Sequence, residues 1–270
     1  MNSVNKTLYI PLYGKALVSR QGIILNDKTA EQIWDTVQFP LKAKSRSKWL
    51  AYYMSMRAKV FDDWLDSKIA AFPEAAVLHL GSGLDSRNLR AGAPASMWYD
   101  VDFPQVIEER KKYFREEDHY RMIGTDVADP DLLLQIPSAE TALIVMEGIS
   151  MYLKPEELKA VLKLWKERFG EVRILMDTYT VFAAKATKYK NPINDVGVTE
   201  VTGLDNPKLL EDSGFTFLGE HDMEVFLVVF GRDSFQLSRT LQQEISSFID
   251  DWYVREQMAK EYSFTVGDDY

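Results

Sequence analysis

Short apolar segments alternate with amphipathic, helix-like segments between residues 76 and 176, and no other feature limits the fold as strongly. Such alternation predicts parallel strands joined by crossover helices. The segment Thr141–Met146 (TALIVM) has the continuous apolar character of a strand that is covered on both faces. We therefore predict a doubly wound α/β fold, with strands at Ala76–Leu80, 97–101, Thr141–Met146 and 172–176.

Proline and glycine mark the helices between these strands. One helix follows Ser86, a second begins at Pro104, and a third begins at Pro155 and stops before Gly170. Apolar residues recur at helical spacing in the third helix, which predicts a buried face made of Leu158, Val161, Leu162 and Trp165.

The first quarter of the chain has helical periodicity instead. Asp27 is placed to cap one helix, and a longer helix is predicted over residues 45–71. A chain of 270 residues is near the upper size that one hydrophobic core supports. We therefore expect one integrated domain, with an N-terminal helical lobe or lid at 1–72 and a ligand-binding core at 73–270.

The end of the chain departs from the alternation. Residues 215–219 and 225–230 are strand-like, and the few polar residues between them leave no room for a crossover helix. They must pair antiparallel, so we predict a mostly parallel sheet that finishes with an antiparallel hairpin. A last helix is predicted over 234–262, with an apolar face that packs on the chain or forms a homodimer.

Composition and charge exclude several classes of protein. Apolar residues make up 46% and charged residues 27%, as in globular proteins rather than disordered ones. A net charge of −9 opposes broad binding to nucleic acid or to an anionic membrane, so a small molecule is the expected partner. The chain has no cysteine, which excludes disulfides and thiolate zinc sites. Without a signal-like start or a spanning segment, we expect a soluble, cytoplasmic protein.

The segment GSGLD at 81–85 follows the first predicted strand and leads into a helix. Open α/β sheets bind cofactors at this place, because glycine lets a ligand approach the backbone. Asp100 and Asp102 end the next strand, about 20 residues downstream, where an acid accepts hydrogen bonds from ribose hydroxyls. Together they predict an adenosine-containing ligand, with a purely structural turn as the alternative.

Two positions narrow the type of adenosine ligand. The dinucleotide fingerprint has a third glycine where this chain has Ser86, and Asp85 adds negative charge where a pyrophosphate would lie. A cofactor without phosphate therefore fits better than NAD. An NAD-dependent oxidoreductase is the less favoured reading.

Arg57 interrupts the apolar stripe of the long N-terminal helix. It stands where helical spacing predicts an apolar side chain, and a buried guanidinium needs an anion. That anion is either the carboxylate of a ligand or an internal partner such as Asp62 or Asp63.

Three segments together resemble a known family. LHLGSGLDSR, YDVDFP and MEGISMYL occur in the order and spacing of the leucine carboxyl methyltransferase family, which includes polyketide O-methyltransferases of the tetracenomycin type. The resemblance extends over residues 9 to 231 and includes the N-terminal helical lobe. It implies a class I, Rossmann-like methyltransferase with a seven-stranded sheet, whose cofactor is S-adenosyl-L-methionine and whose product is S-adenosyl-L-homocysteine.

The resemblance also implies roles for individual residues. Matching the motifs assigns the methionine part of the cofactor to Gly81 and Gly83, the ribose to Asp102 with Asp100 as the alternate, and the adenine to Asp126 and Val127. It also matches Glu147 to the family's glutamate after the fourth strand, Arg57 to an arginine that pairs with a carboxylate in the cofactor pocket, and Lys15 to a lysine further upstream. Glu147 follows an apolar strand, and an exposed loop acid is the alternative reading of this residue.

Methyl transfer from a sulfonium is an in-line displacement, so alignment and exclusion of water supply much of the acceleration, and no metal is required. A carboxylate acceptor is ionised near neutral pH, whereas a hydroxyl needs a base. His79 is expected in the core, and His119 and His221 on the surface, so none is an obvious base.

This chemistry favours transfer to a carboxylate of a small, polyketide-like molecule, with a hydroxyl acceptor as the alternative. Tyr152, just past Glu147, is expected to position the acceptor or merely to pack, and the basic segment 185–194 to form a solvated loop over the acceptor pocket. A non-catalytic protein that binds S-adenosylmethionine is the rival function.

Overall fold

The computed structural model describes residues 5–37, 39–42, 44–91, 96–190, 192–198, 200–221 and 259–266. The chain begins with the helices α1 (Tyr9–Gln21), α2 (Lys28–Val37) and α3 (Lys48–Ala71). Asp27 caps α2 as predicted, because its Oδ1 accepts a hydrogen bond of 2.8 Å from the Ala30 amide. The predicted long helix starts three residues late, since Lys44–Arg46 forms a separate 3₁₀ turn.

Five parallel strands form the centre of the molecule, in the spatial order β3-β2-β1-β4-β5. They are β1 (Ala76–Leu80), β2 (Met97–Asp102), β3 (Tyr120–Gly124), β4 (Thr141–Met146) and β5 (Glu171–Tyr179). The predicted α/β fold with a parallel sheet is therefore confirmed. The strand β3 is not predicted from the sequence, because the exposed Arg121 of this edge strand interrupts the apolar pattern.

Helices connect and cover these strands. They are α4 (Arg87–Arg90), α5 (Pro104–Arg110), α6 (Leu132–Gln135), α7 (Pro155–Arg168) and α8 (Val181–Lys190). The four residues predicted for the inner face of α7 are all buried. The solvated loop predicted at 185–194 is wrong for residues 185–190, because α8 continues through them.

Two further strands, β6 (Thr216–His221) and β7 (Ala259–Val266), lie beyond β5. The backbone of β7 pairs antiparallel with both β5 and β6. The predicted strand at 225–230 and most of the predicted last helix lie outside the described residues. The helix prediction is wrong for 259–262, which belong to β7, where apolar residues alternate at the two-residue period of a strand.

The N-terminal helices share a hydrophobic core with the sheet. Phe61 and Leu65 of α3 belong to the same buried cluster as Val77, Leu143 and Leu175. The other face of the sheet packs against α7 in a second cluster. The sheet is thus covered on both faces, and its carboxyl edge opens toward α1 and α3. No helix among the described residues is long and apolar enough to cross a membrane.

Candidate cofactor and acceptor site

The glycine loop after β1 bends over the end of β2. The Gly81 and Ser82 amides donate to Val101 O at 2.8 and 3.2 Å, and the Gly83 amide donates to Asp102 Oδ2 at 2.8 Å. Gly81 and Gly83 have φ angles of 71° and 51°. Glycine adopts this left-handed region at little cost, so the residue type at both positions follows from the shape of the loop.

The loop after β4 lies directly against the glycine loop. A Cβ atom added to Gly81 would lie 2.0 Å from Ile149 Cγ2, and one added to Gly148 would lie 3.3 Å from Arg57 Nη2. The Gly148 amide donates to Asp177 Oδ1 of β5 at 2.7 Å. The ends of β1, β4 and β5 therefore meet beside α3, at the edge where open α/β sheets bind ligands.

Asp100 is enclosed by the protein interior. Its carboxylate accepts hydrogen bonds from Tyr120 Oη at 2.5 Å and Trp98 Nε1 at 3.0 Å, and Arg110 also donates to it. Burial opposes ionisation, but Arg110 and the hydrogen bond from His79 outweigh it and lower the pKa of Asp100. Asp100 is therefore a structural anion beneath the loop.

Asp102 faces the glycine loop and is partly exposed. Its two oxygens accept hydrogen bonds from the Gly83 and Phe103 amides, at 2.8 and 2.7 Å. Burial outweighs these hydrogen bonds and raises the pKa of Asp102 to about 6. Of the two strand-end acids, only Asp102 is partly exposed, whereas Asp100 is fully buried.

His79 is a buried histidine with both ring nitrogens bonded. Its Nδ1 lies 3.0 Å from Asp100 Oδ1, and its Nε2 lies 3.2 Å from Arg87 Nη1. Because arginine only donates, Nε2 must accept, and the single proton is on Nδ1. Burial, helped by the Arg87 charge, lowers the pKa of His79 against the opposing effect of Asp100. The prediction of a core histidine is confirmed.

Arg57 lies buried between two carboxylates of the sheet. Its Nη1 donates to Asp177 Oδ2 at 2.8 Å, and its Nε donates to Glu147 Oε1 at 3.1 Å. The internal ion pair that was the alternative for Arg57 is therefore present, with Asp177 and Glu147 rather than with Asp62 or Asp63. Asp62 and Asp63 lie five and six positions along a helix with about 3.6 residues per turn, and so point away from the face of Arg57.

Glu147 is 8% exposed, which rules out an exposed loop acid. It pairs with Arg57 and with Arg87. Burial opposes its ionisation, but the charges of Lys15, Arg57 and Arg87 outweigh burial and lower the pKa of Glu147 to about 2. For Asp177 the balance is reversed, and burial raises its pKa in spite of Arg57.

Lys15 brings the N-terminal helix α1 to the glycine loop. Its Nζ lies 2.5 Å from Asp85 Oδ2, and Asp85 Oδ1 accepts a hydrogen bond of 2.7 Å from Arg90. A Cβ atom on Gly83 would lie 3.4 Å from Leu8 Cβ, so the chain just before α1 also covers the loop. The charge of Asp85 is thus offset by Lys15 and Arg90, so the feature of the loop that opposes a phosphate ligand is the missing third glycine.

Asp126 and Val127 follow β3 at the same edge of the sheet. The Thr125 amide donates to Asp102 O at 2.9 Å, which ties this segment to the end of β2. Asp126 is exposed and accepts a hydrogen bond of 2.9 Å from the Ala128 amide, whereas Val127 packs against the apolar cluster under α7.

Tyr152 ends a 3₁₀ turn after β4. Burial, together with Tyr179 and Asp177, outweighs the effects of Thr7 and Arg57 and raises the pKa of Tyr152 to about 12. The phenol is therefore protonated near neutral pH and is able to donate a hydrogen bond.

The model of the family described as leucine carboxyl methyltransferase matches residues 5–165. The chain belongs to the leucine carboxyl methyltransferase family. The family match and two similar methyltransferases identify the chain as a methyltransferase that depends on S-adenosylmethionine.

Two relatives and one solved structure accompany this family match. The tetracenomycin polyketide synthesis O-methyltransferase TcmP of Streptomyces glaucescens is 32% identical over 213 residues, which cover 78% of this chain and 79% of the relative. The S-adenosyl-L-methionine-dependent methyltransferase dpfgK of Gibberella zeae is 24% identical over 234 residues, 78% of each. A crystal structure of a proposed methyltransferase from Thermobifida fusca YX has the same fold, with a TM-score of 0.56 at 14% identity, covering 89% of each chain.

Three buried charged residues of the candidate site were not predicted from the sequence: Asp177, Arg87 and Arg110. Asp177 could have been recognised from the sequence, because it is an acid within the apolar strand β5. The burial of Arg87 and Arg110 could not, since arginines in short polar helices are ordinarily exposed.

Proposed function

We propose that this methyltransferase transfers a methyl group from S-adenosylmethionine to an oxygen of a small molecule, a carboxylate in preference to a hydroxyl. The observation that carries the proposal is the direct contact between the glycine loop and Asp102 at the carboxyl edge of the sheet. The relative named as a polyketide O-methyltransferase supports oxygen as the methyl acceptor and a polyketide-like molecule as its carrier.

The adenosine half of the cofactor is assigned to the ends of two strands, β2 and β3. Asp102 would accept hydrogen bonds from the ribose hydroxyls, and Asp126 and Val127 would flank the adenine. Asp102 suits this role because hydroxyl donors stabilise a carboxylate whose pKa burial has raised to about 6.

The methionine half is assigned to the glycine loop and the ion pairs beside it. Gly81 and Gly83 would let the ligand approach the backbone. Glu147, ionised with a pKa of about 2, would hold the ammonium group, and Arg57 and Lys15 would hold the carboxylate. The support is that these three side chains lie within one buried charge cluster.

The bound cofactor supplies an electrophilic methyl group on a sulfonium. The chain orients the acceptor oxygen and excludes water around it. Tyr152 would donate a hydrogen bond to the acceptor and hold it in line. His79 has no free ring nitrogen, and the His119 side chain is 58% exposed. Neither of these two histidines is placed to act as a base, which favours a carboxylate acceptor because a carboxylate requires no base.

We also propose the complete class I arrangement, a seven-stranded sheet with an antiparallel terminal hairpin. Its support is the antiparallel pairing of β7 with β5 and β6. A homodimer formed through the predicted helix at 234–258 is part of the same proposal, and size-exclusion chromatography with light scattering tests it.

The test of function is an acceptor screen. The protein is incubated with S-adenosylmethionine and pairs of aromatic polyketide-like acids and their amides, and S-adenosylhomocysteine release and product mass are measured. The proposal predicts that acids gain one methyl group as base-labile esters while the matched amides do not react. If the products are methylated only at phenols, the acceptor group is a hydroxyl and not a carboxylate. Binding of S-adenosylhomocysteine without turnover of any acceptor would instead favour a non-catalytic binder.

A further inference from the structure

Arg110, the last residue of α5, holds the glycine loop from its buried side. Its Nη1 donates to two backbone oxygens of the loop, Gly83 O at 3.1 Å and Asp85 O at 2.7 Å. The residue is 0% exposed, so these contacts are made entirely within the protein.

The rest of the guanidinium is fixed by its other neighbours. Nη2 donates to Asp100, Nε donates to Tyr120 Oη at 3.1 Å, and Cζ lies 4.0 Å from the centre of the Phe114 ring. A planar guanidinium with contacts at Nη1, Nη2, Nε and its face is held in one orientation. The two loop carbonyls therefore meet a donor whose position is set by β2, β3 and α5.

Gly83 is held from two directions. Its amide donates to Asp102 and its carbonyl accepts from Arg110, so both peptide planes that flank Gly83 are fixed. In the proposed function the ribose hydroxyls also bind Asp102 and share its oxygens with the Gly83 amide. Because Arg110 is fully buried, a ligand that binds Asp102 would not need to displace its two contacts with the loop.

We propose that Arg110 is a positioning residue for cofactor binding, which presets the backbone of residues 83–85 without touching the cofactor. The inference rests on the proposed assignment of the glycine loop to S-adenosylmethionine. A loop that is already ordered loses less entropy on binding, so Arg110 acts on cofactor affinity and leaves the methyl-transfer step unchanged.

Arg110→Lys is the informative variant, because lysine keeps a cation beside Asp100 but cannot donate to both carbonyls in a fixed geometry. The Kd for S-adenosylhomocysteine and the KM for S-adenosylmethionine are expected to rise roughly tenfold or more, since hydrogen bonds to a charged donor are lost. The kcat at saturating cofactor and the KM for the acceptor are expected to stay within about twofold of the parent protein.

Arg121→Lys is the matched control. Arg121 is exposed on β3, and its Nη1 donates to the backbone oxygen of Tyr120 at 3.0 Å and to no atom of the loop. Unchanged S-adenosylhomocysteine affinity and an unchanged kcat are expected. Equal losses of affinity in both variants, or none in Arg110→Lys, would overturn the positioning role.

Hydrogen exchange of the unmodified protein tests the same inference if Arg110→Lys does not fold. The amides of Gly81, Ser82, Gly83 and Asp85 are all hydrogen-bonded, so slow exchange without ligand and little further slowing by S-adenosylhomocysteine are expected. Fast exchange that slows only on binding would refute a preset loop. If the unmodified protein binds no S-adenosylhomocysteine, the proposed function fails, whereas normal binding together with a freely exchanging apo loop removes only the role of Arg110.

Discussion

The Asp102 carboxylate accepts a hydrogen bond of 2.8 Å from the Gly83 amide, across 19 residues of sequence. This contact joins the two elements that the sequence offered as halves of a cofactor site, the glycine loop and the strand-end acid. Burial at the same place raises the pKa of Asp102 to about 6, which makes the charge of the site sensitive to pH.

Cofactor affinity is expected to fall at acid pH. In the proposed function the ribose hydroxyls bind the ionised form of Asp102, and the unliganded protein takes up a proton there as the pH drops through about 6. The Kd for S-adenosylhomocysteine is then expected to rise about tenfold for each pH unit below that value, and to be constant above about pH 7. Calorimetry in buffers of different ionisation enthalpy measures both the Kd and the proton released on binding.

Asp102→Asn supplies the control for this pH dependence. The amide does not titrate, so its weaker binding is expected to be the same on both sides of pH 6. A pH dependence that persists in Asp102→Asn would assign the titration to another group.

Gly81→Ala is expected to abolish cofactor binding in a protein that still folds. The new Cβ would meet Ile149 Cγ2 at 2.0 Å and would force a side chain into a φ of +71°. Gly22→Ala is the matched control, with a φ of +67° and nothing within 4 Å. It is expected to cost about 1–2 kcal/mol of folding stability with unchanged affinity, measured by thermal unfolding and calorimetry.

Arg57→Met is expected to lower both stability and cofactor affinity. It leaves the buried Asp177 carboxylate without its cation, at a cost of about 3–5 kcal/mol in the free energy of unfolding. Adding Asp177→Asn removes that uncompensated charge, so the double variant is expected to regain stability while its affinity stays low by about 2–5 kcal/mol. Lys59→Met breaks an exposed pair with Asp63 on the same helix and serves as control, with an effect below about 1 kcal/mol. Restored affinity in the double variant would remove Arg57 from the cofactor site.

Tyr152→Phe is expected to lower kcat while the Kd for S-adenosylhomocysteine stays the same. With its pKa raised to about 12, Tyr152 stays protonated near neutral pH, and losing its hydrogen bond to a charged acceptor is expected to slow the reaction roughly ten- to hundredfold. Steady-state kinetics at saturating cofactor measure this. A change confined to cofactor affinity would place Tyr152 elsewhere in the site.

Local patterns were enough to predict much of the fold. The bounds of β1 and β4 and the buried face of α7 agree with the structure residue by residue, because they depend on apolar runs and helical spacing within each segment. The edge strand β3 could not be predicted in this way, because an edge position tolerates the exposed Arg121, which breaks the apolar run. Residues 259–262 were assigned to a helix by extending a periodic pattern past its end.

The site was predictable in its backbone and not in its ion pairs. The glycine loop and Asp102 follow from a motif and a spacing. The anions of Arg57 lie 90 and 120 residues away, at the ends of β4 and β5, and only the register of the sheet brings them to α3. The register of β1 with β2 places Asp100 next to His79, and Asp100 is therefore enclosed by the protein interior.

The most direct test of the account is a calorimetric titration of the protein and of Asp102→Asn with S-adenosylhomocysteine, alongside a titration with NAD. The account predicts saturable binding of one S-adenosylhomocysteine per chain, no measurable binding of NAD, and affinity weakened by about 1.5–3 kcal/mol in a folded Asp102→Asn protein. Saturable binding of NAD in preference to S-adenosylhomocysteine, or unchanged affinity in Asp102→Asn, would contradict it.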